Sequence, residues 1–362
     1  MRPKAMEVGS AYVRSLPVGC RHCRQGSKMV LLVTGRCQSG CFYCPLSEVK
    51  KGKRVTFADE LAVISPEDVL HEARLIRAKG TGITGGDPLE ELDKVLGLVR
   101  LLKTTFGEGH HIHLYTATID EDAFQALQEA GLDELRLHPP LRLWKRMMSS
   151  GLSEAVKDLD IAVGLEVPAL PGEGAALEAL IRYADSIGLD FVNLNELEFS
   201  ETNYRALERK GMEVKDDVSS AARGSEELAL RMLQLDVRIP IHYCSSSFKD
   251  SVQLRNRLKR RARSVARKGD VITEEGTLLK GVVEQEHAEE AARLLKEAYD
   301  VPDDLLYRDQ EKGRLEVAPW VLRELEGKLP FDSFIVEEYP TADRLEVERE
   351  LLRKKSKKGK KA

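Results

Sequence analysis

Short apolar runs alternate with longer amphipathic ones six times between residues 28 and 198, and this rhythm constrains the chain more than any other feature. Residues 28–34 read as a buried strand. Ser65-Pro66-Glu67-Asp68 then opens a helix with a capping residue, a first-turn proline and acids at the positive end of the dipole. Gly80 is expected to close that helix. The cycle recurs as strand 81–85, helix 88–106 ended by Gly107, strand 110–117, helix 120–130 ended by Gly131 and strand 132–138. Helix 141–158, strand 161–167, helix 175–187 ended by Gly188 and strand 190–198 complete it. A seventh strand, 237–243, is expected after a polar excursion over 199–224.

Consecutive β/α units require right-handed crossovers and therefore a parallel sheet. The expected fold is α/β, a partial (β/α)6 TIM-like barrel, with an open doubly wound sheet as the other arrangement of the same units. Helices cover the outside of such a barrel, so the apolar alternation Ile112/Leu114, Leu135/Leu137, Val163/Leu165/Val167 and Val192/Leu194 faces outward. That sends His111, His113 and Tyr115, Arg136 and His138, Gly164 and Glu166, and Asn193 and Asn195 inward, unless the register slips by one residue. Closed eight-stranded barrels fill their middle with Val, Ile and Leu. This interior is polar and suits a charged ligand.

With 42% hydrophobic and 32% charged residues, the 362-residue chain is a soluble globular protein, long enough for one large domain and a smaller appendage. It has no apolar run of bilayer length and no secretory leader, so a cytoplasmic address away from membranes is expected. The 56 basic and 60 acidic residues nearly cancel, and overall charge announces no nucleic-acid partner. A reducing cytosol disfavours disulfides, which makes metal binding the better reading of six cysteines.

Three of them follow the first strand, in Gly35-Arg36-Cys37-Gln38-Ser39-Gly40-Cys41-Phe42-Tyr43-Cys44-Pro45. Thiolates select zinc or iron–sulfur clusters, and a structural zinc would want a nearby fourth ligand that does not follow Cys44. Three thiolates leave one iron open, at the strand end where β/α barrels place chemistry. The C-x3-C-x2-C pattern with Tyr43 before its last cysteine resembles the radical S-adenosylmethionine (SAM) superfamily, and so does Thr84-Gly85-Gly86-Asp87-Pro88 one β/α unit later. The usual acid of that glycine-rich segment is Glu, and here Asp87 stands in its place. The resemblance covers about residues 28–198 and extends to uncharacterised archaeal proteins related to pyruvate formate-lyase activating enzymes.

The resemblance implies an oxidoreductase-like enzyme with a [4Fe–4S] cluster on Cys37, Cys41 and Cys44, SAM on the open iron, and a 5′-deoxyadenosyl radical that abstracts a substrate hydrogen. It further implies that Gly85, Gly86 and Asp87 meet the SAM amino group and that Tyr43 lies beside the adenine. Arg136, His138, Glu166 and Asn195 become candidates for ribose, carboxylate or substrate contacts, and a one-electron donor such as ferredoxin or flavodoxin is required.

Cys20 and Cys23 form a second pair within the N-terminal extension 1–27, and Cys244 ends the seventh strand. These three fit an auxiliary zinc or second iron–sulfur site with His22, His242, substrate or nothing as fourth ligand; unligated thiols or a thermophile disulfide fit them equally. The barrel is expected over 28–246. A small α+β domain follows over 247–350, opened by the basic run Arg255, Arg257, Lys259, Arg260, Arg261, Arg263, Arg267 and Lys268, with a basic tail over 351–362. These cations suit RNA phosphates or plain solvent. They leave RNA or protein as the substrate reading, and a non-enzymatic iron–sulfur or zinc RNA-binding protein as the competing class.

Overall fold

The computed structural model describes residues 2–216 and 218–354. The chain divides between Leu254 and Arg255 into two compact units. In the first, seven parallel strands lie side by side in chain order: β1 (Lys28–Leu32), β2 (Gly80–Thr84), β3 (His111–Thr116), β4 (Glu134–Leu137), β5 (Ala162–Ala169), β6 (Phe191–Glu196) and β7 (Ile241–Cys244). Short antiparallel strands finish both edges, Phe57–Ala58 and Leu61–Ala62 beyond β1, Ala11–Val13 and Lys4–Ala5 beyond β7. The fold is thus α/β, a partial barrel that stays open between its edges.

Local chemistry sets the connecting helices. Ser65 and Asp68 form a reciprocal capping box on Pro66–Leu75, and the Asp120 carboxylate caps Glu121–Ala130 through the Ala123 N–H. Gly80 does not end the first of these. Arg77 turns left-handed at φ 51° and the Ala78 N–H closes on the Ala73 carbonyl at 2.8 Å, which frees Gly80 to open β2, where a Cβ would overlap the His111 carbonyl. The expected helix 141–158 is likewise broken. Arg146 leaves helical φ/ψ and Gly151 sits at φ 77°, so the segment is a 3-10 stretch, Leu141–Ser149, and a short helix, Leu152–Val156.

One face of the sheet carries Met29, Leu31, Ile83, Ile112, Leu114, Leu135, Leu165, Val192, Leu194 and Ile241 into a core shared with the helices, each buried. Such a side chain contributes about 1.5–3 kcal/mol on burial. Ser246–Phe248 and Lys249–Leu254 continue the first unit, where Phe248 and Val252 pack with Cys244 and Met6.

The second unit is α+β, with Leu278–Glu284 central in a six-stranded antiparallel sheet under the helices Gln285–Tyr299 and Pro319–Glu324. The basic run forms Arg255–Val265 and the turn after it, and several of its cations meet protein carboxylates: Arg255 pairs with Glu275, Arg267 with Glu316 and Lys268 with Asp304. Leu351 and Leu352 of the expected tail belong to the strand Glu346–Leu352, and residues 355–362 lie outside the described residues. Among the described residues no helix is long and apolar enough to cross a membrane.

Candidate functional site

The cysteine loop begins where β1 ends, and glycine lets it fold back on itself. Gly35 exchanges hydrogen bonds with Lys53 and Gly52 at 2.8 Å each, in a space where a Cβ would overlap the Lys50 carbonyl. Gly40 turns at φ 61° between Cys37 and Cys41. Cys37 is exposed and accepts from the Ser39 N–H at 3.3 Å, while Cys41 and Cys44 are half-buried and linked by a turn from the Cys44 N–H to the Cys41 carbonyl. Burial pushes the Cys41 thiol up; a Tyr43 hydrogen bond opposes this, and Cys37 and Cys44 add to it. Thiolates crowded around Cys41 fit a cationic cluster, because binding it would relieve the repulsion between them. Their sulfurs are not converged: among the described residues no three His, Cys, Asp or Glu side chains are arranged to hold a metal ion.

The glycine-rich segment is stitched directly to this loop. The Gly86 N–H donates to the Thr34 carbonyl and the Asp87 N–H to the Arg36 carbonyl, both at 2.7 Å. A Cβ at Gly85 would lie 2.5 Å from the Thr34 oxygen, and one at Gly86 would overlap the Arg36 carbonyl, so both positions need glycine for close approach. Asp87 is buried, and its carboxylate accepts from Leu89 N–H (3.2 Å), Thr116 Oγ1 (2.7 Å), Ala117 N–H (3.1 Å) and Thr118 Oγ1 (2.9 Å). It braces the strand ends of β2 and β3 and has little capacity left for a ligand.

Tyr43 is buried behind the cysteines. Its hydroxyl meets His138 Nε2 at 3.2 Å and its carbonyl accepts from Asn203 Nδ2 at 3.0 Å. His138 Nδ1 meets the Glu166 carbonyl at 2.7 Å, an arrangement that assigns the proton to Nδ1, and burial lowers the ring's pKa. The interior then continues through Arg136, whose guanidinium lies between the rings of Tyr115 and Phe191 at 5.4 and 5.5 Å. Its five N–H groups are spent on Glu134 (2.6 Å from Nε, with a second contact at Nη2), Tyr115 Oη (3.3 Å), Glu166 (2.5 Å) and Cys20 Sγ (3.5 Å). Glu166 also accepts from Asn193 and Asn195 at 3.0 Å each. Removing one partner from such a buried ion network costs about 3–5 kcal/mol. Arg136, Glu166 and Asn195 therefore hold one another.

Glu134 belongs to the same network and is absent from the sequence-derived set, although period-2 spacing from Arg136 and His138 puts it on their face. Burial opposes its ionisation, but Arg136 outweighs that and holds the carboxyl well below the usual range. Asn203, the brace on Tyr43, sits in the polar excursion with no motif to mark it. Interior atoms without a hydrogen-bond partner among the described residues include His113 Nδ1, Asn193 Oδ1 and both nitrogens of His242, a side chain 2% exposed and facing Asn193 across the β6–β7 ladder. Burial pushes His242 down to about 4, so it is neutral at neutral pH.

Cys20 and Cys23 lie on helix α1 (Val18–Arg24), which closes the amino-terminal end of the barrel. Its Gly19 N–H donates to Glu134 at 3.1 Å and Cys20 Sγ accepts from Asn193 Nδ2 at 3.3 Å. His22 stands against His111 and Ser27, and Cys244, level with Asn195, accepts from Gln253 at 3.4 Å. Among the described residues these three cysteines form no group arranged to hold a metal ion. Burial pushes all three thiols up, Cys244 to about 12.

The family profile described as the radical SAM superfamily matches residues 31–139, a stretch that runs from β1 to just past β4. Over 358 residues the chain is 39% identical to a putative glycyl-radical enzyme activating enzyme of Methanocaldococcus jannaschii, with 92% of each chain covered. The chain belongs to the radical SAM superfamily. It is an enzyme of that class, whose members carry a [4Fe–4S] cluster, bind SAM and take one electron from a reductant. A domain of unknown function (DUF8061) matches residues 276–352. Among solved structures, methylornithine synthase is 13% identical, covering 59% of this radical SAM chain and 66% of its own, with a TM-score of 0.39. Streptococcus suis SuiB bound to SAM is also 13% identical, covering 60% and 50%, with a TM-score of 0.37. A non-enzymatic RNA-binding role has no support in these likenesses.

Proposed function

We propose that this chain holds a [4Fe–4S] cluster through Cys37, Cys41 and Cys44, cleaves SAM reductively and abstracts hydrogen from a protein substrate. The observation that carries this reading is the pair of 2.7 Å bonds joining Gly86 and Asp87 to the cysteine loop, which makes one site of two motifs lying far apart in sequence. The cluster would supply the electron that breaks the SAM C5′–S bond. The chain's own part is placement. Gly85 and Gly86 leave space and backbone groups for the SAM amino end, Asp87 fixes that turn, and Tyr43 and His138 wall the site behind the cysteines. Arg136, Glu166 and Asn195 act as the frame of the interior, while the unpartnered Asn193 Oδ1 and His242 are the groups offered to substrate. Burial of such anchors excludes water from a radical that must meet its target C–H at contact distance.

The protein substrate reading rests on the name of the Methanocaldococcus jannaschii relative. After anaerobic reconstitution with iron and sulfide, SAM and dithionite should give 5′-deoxyadenosine. The triple change of Cys37, Cys41 and Cys44 to Ala should abolish the product together with the cluster's visible absorbance. Continued cleavage by that variant would refute the assignment.

A further inference from the structure

We infer that Lys28, at the amino-terminal end of the barrel, is a carbamate-forming site whose neutral amine takes up dissolved carbon dioxide. Three lysines are buried among the described residues, and two of them answer to carboxylates: Lys103 pairs with Asp133, and Lys280 with Asp270, Glu316 and Glu338. Lys28, 3% exposed, has no carboxylate within ion-pair distance among the described residues. Its Nζ donates instead to His111, at 2.7 Å to Nδ1 and 2.9 Å to the carbonyl oxygen. His111 Nε2 lies 3.5 Å from Glu134 Oε2, an arrangement that assigns the ring proton to Nε2 and leaves Nδ1 an acceptor. Two acceptors satisfy the two N–H bonds of a neutral amine and leave its lone pair free. An ammonium would bury a third N–H with nothing among the described residues to receive it.

Burial pushes Lys28 down to about 7, against Cys23, Glu134 and Asp133, which favour the ammonium, while Arg136 adds to the shift. A lysine amine that is neutral at ordinary pH is a nucleophile. Access selects its electrophile. Lys79 is exposed, and its backbone bonds the Ser27 carbonyl at 2.8 Å and the His111 N–H at 3.1 Å, so the buried amine lies just under the surface. A small uncharged molecule reaches such a place, whereas a bulky aldehyde or a charged acyl donor does not. Gly80 keeps room beside the amine, since a Cβ there would come 3.0 Å from Nζ. The product is an anion, and the surroundings suit one: Lys79 and Arg21 both act as cations on His22, whose ring stands 5.8 Å from that of His111. The step balances without an oxidant or reductant. The Nζ lone pair forms the N–C bond, one C=O electron pair moves onto oxygen, and the Nζ proton passes to His111 Nδ1, leaving an imidazolium that faces Glu134.

To test this, the reconstituted full chain is equilibrated with carbon-13 bicarbonate, treated with triethyloxonium, which esterifies carbamates, and digested for mass spectrometry. The Lys28 peptide should carry the labelled ethoxycarbonyl group at about tenfold or more the occupancy of the exposed Lys51 and Lys53, since an ordinary lysine amine is protonated at neutral pH. At fixed dissolved carbon dioxide the occupancy should rise between about pH 6 and about pH 8, as the amine loses its proton. Carbon-13 NMR of the intact protein should show a carbamate signal that Lys28→Met removes; the wild-type peptide map carries the assignment even if that variant folds poorly. Equal occupancy at Lys28 and the exposed lysines overturns the proposal, and so does an unlabelled Lys28. Preferential methylation of an unlabelled Lys28 by formaldehyde and cyanoborohydride overturns it as well, because the amine would then be neutral and reachable and still refuse carbon dioxide. None of these readouts passes through SAM cleavage, so the result stands apart from the catalytic reading.

Discussion

At Gly86 a hydrogen atom stands where any other residue would place a carbon inside the Arg36 carbonyl. Backbone lies on both sides, so neither can rotate away, and a methyl group must separate the glycine turn from the cysteine loop. Gly86→Ala should therefore keep the far-ultraviolet circular dichroism of wild type and lose SAM affinity by about tenfold or more in equilibrium dialysis. Gly97 is the control. It lies within Leu92–Phe106 with nothing near its missing Cβ, so Gly97→Ala should leave SAM affinity unchanged and stabilise the helix by about 1 kcal/mol. Unchanged SAM affinity in Gly86→Ala would remove that turn from the site. Asp87 shows the other side of the same economy: its sequence position suggested a ligand contact, and the surrounding threonines make it a brace.

Among elements, helix α1 is the one whose position sequence periodicity could not supply. Its seven residues are short, and nothing in Cys20-Arg21-His22-Cys23 says that the segment enters a barrel. Entry depends on Gly19, where a Cβ would overlap Arg136 Nη2 and His113 Nδ1 and lie 2.7 Å from Glu134. Gly19→Ala should push α1 outward and lower the urea midpoint by an amount equivalent to about 1–3 kcal/mol, without altering the m-value. An unchanged midpoint would mean that α1 is not seated as described. Strands β3 to β6 were legible from their alternation because each has helices on one side and a polar lumen on the other, which makes the period of two unambiguous. The same alternation brought Arg136, Glu166, Asn193 and Asn195 onto one face. It could not reveal that they bond mainly to one another, since that depends on side-chain reach between strands. The break within 141–158 was hidden for a related reason: apolar spacing there fits a helix, while Gly151 and Arg146 interrupt it locally.

The whole molecule keeps two cores and two treatments of charge. In the first unit one arginine, Arg136, is shared by Glu134 and Glu166; in the second, several cations converge on the same buried acids. Glu338 is the clearest case, 1% exposed among Lys280, Arg314 and Arg344. Burial opposes its ionisation, but these cations outweigh that and hold it down to about 2. A carboxyl lowered on folding stabilises the native state above its unfolded pKa, near 4.3, and loses that contribution as pH falls toward 2. Glu338→Gln should cost roughly 3 kcal/mol at pH 7, and the gap in melting temperature from wild type should narrow steadily below about pH 4.5. A gap independent of pH would show that the network does not act through this charge.

The two edges of the parallel sheet have a last consequence. A barrel that never closes exposes backbone donors and acceptors along its first and last strands, the template on which chains add to one another. Here Phe57–Ala58 and Leu61–Ala62 occupy one side, Ala11–Val13 and Lys4–Ala5 the other, and each pair ends in a strand of only two residues. The chain terminates its own ladders, so it keeps an open seam without offering a foreign strand enough length to zip onto it.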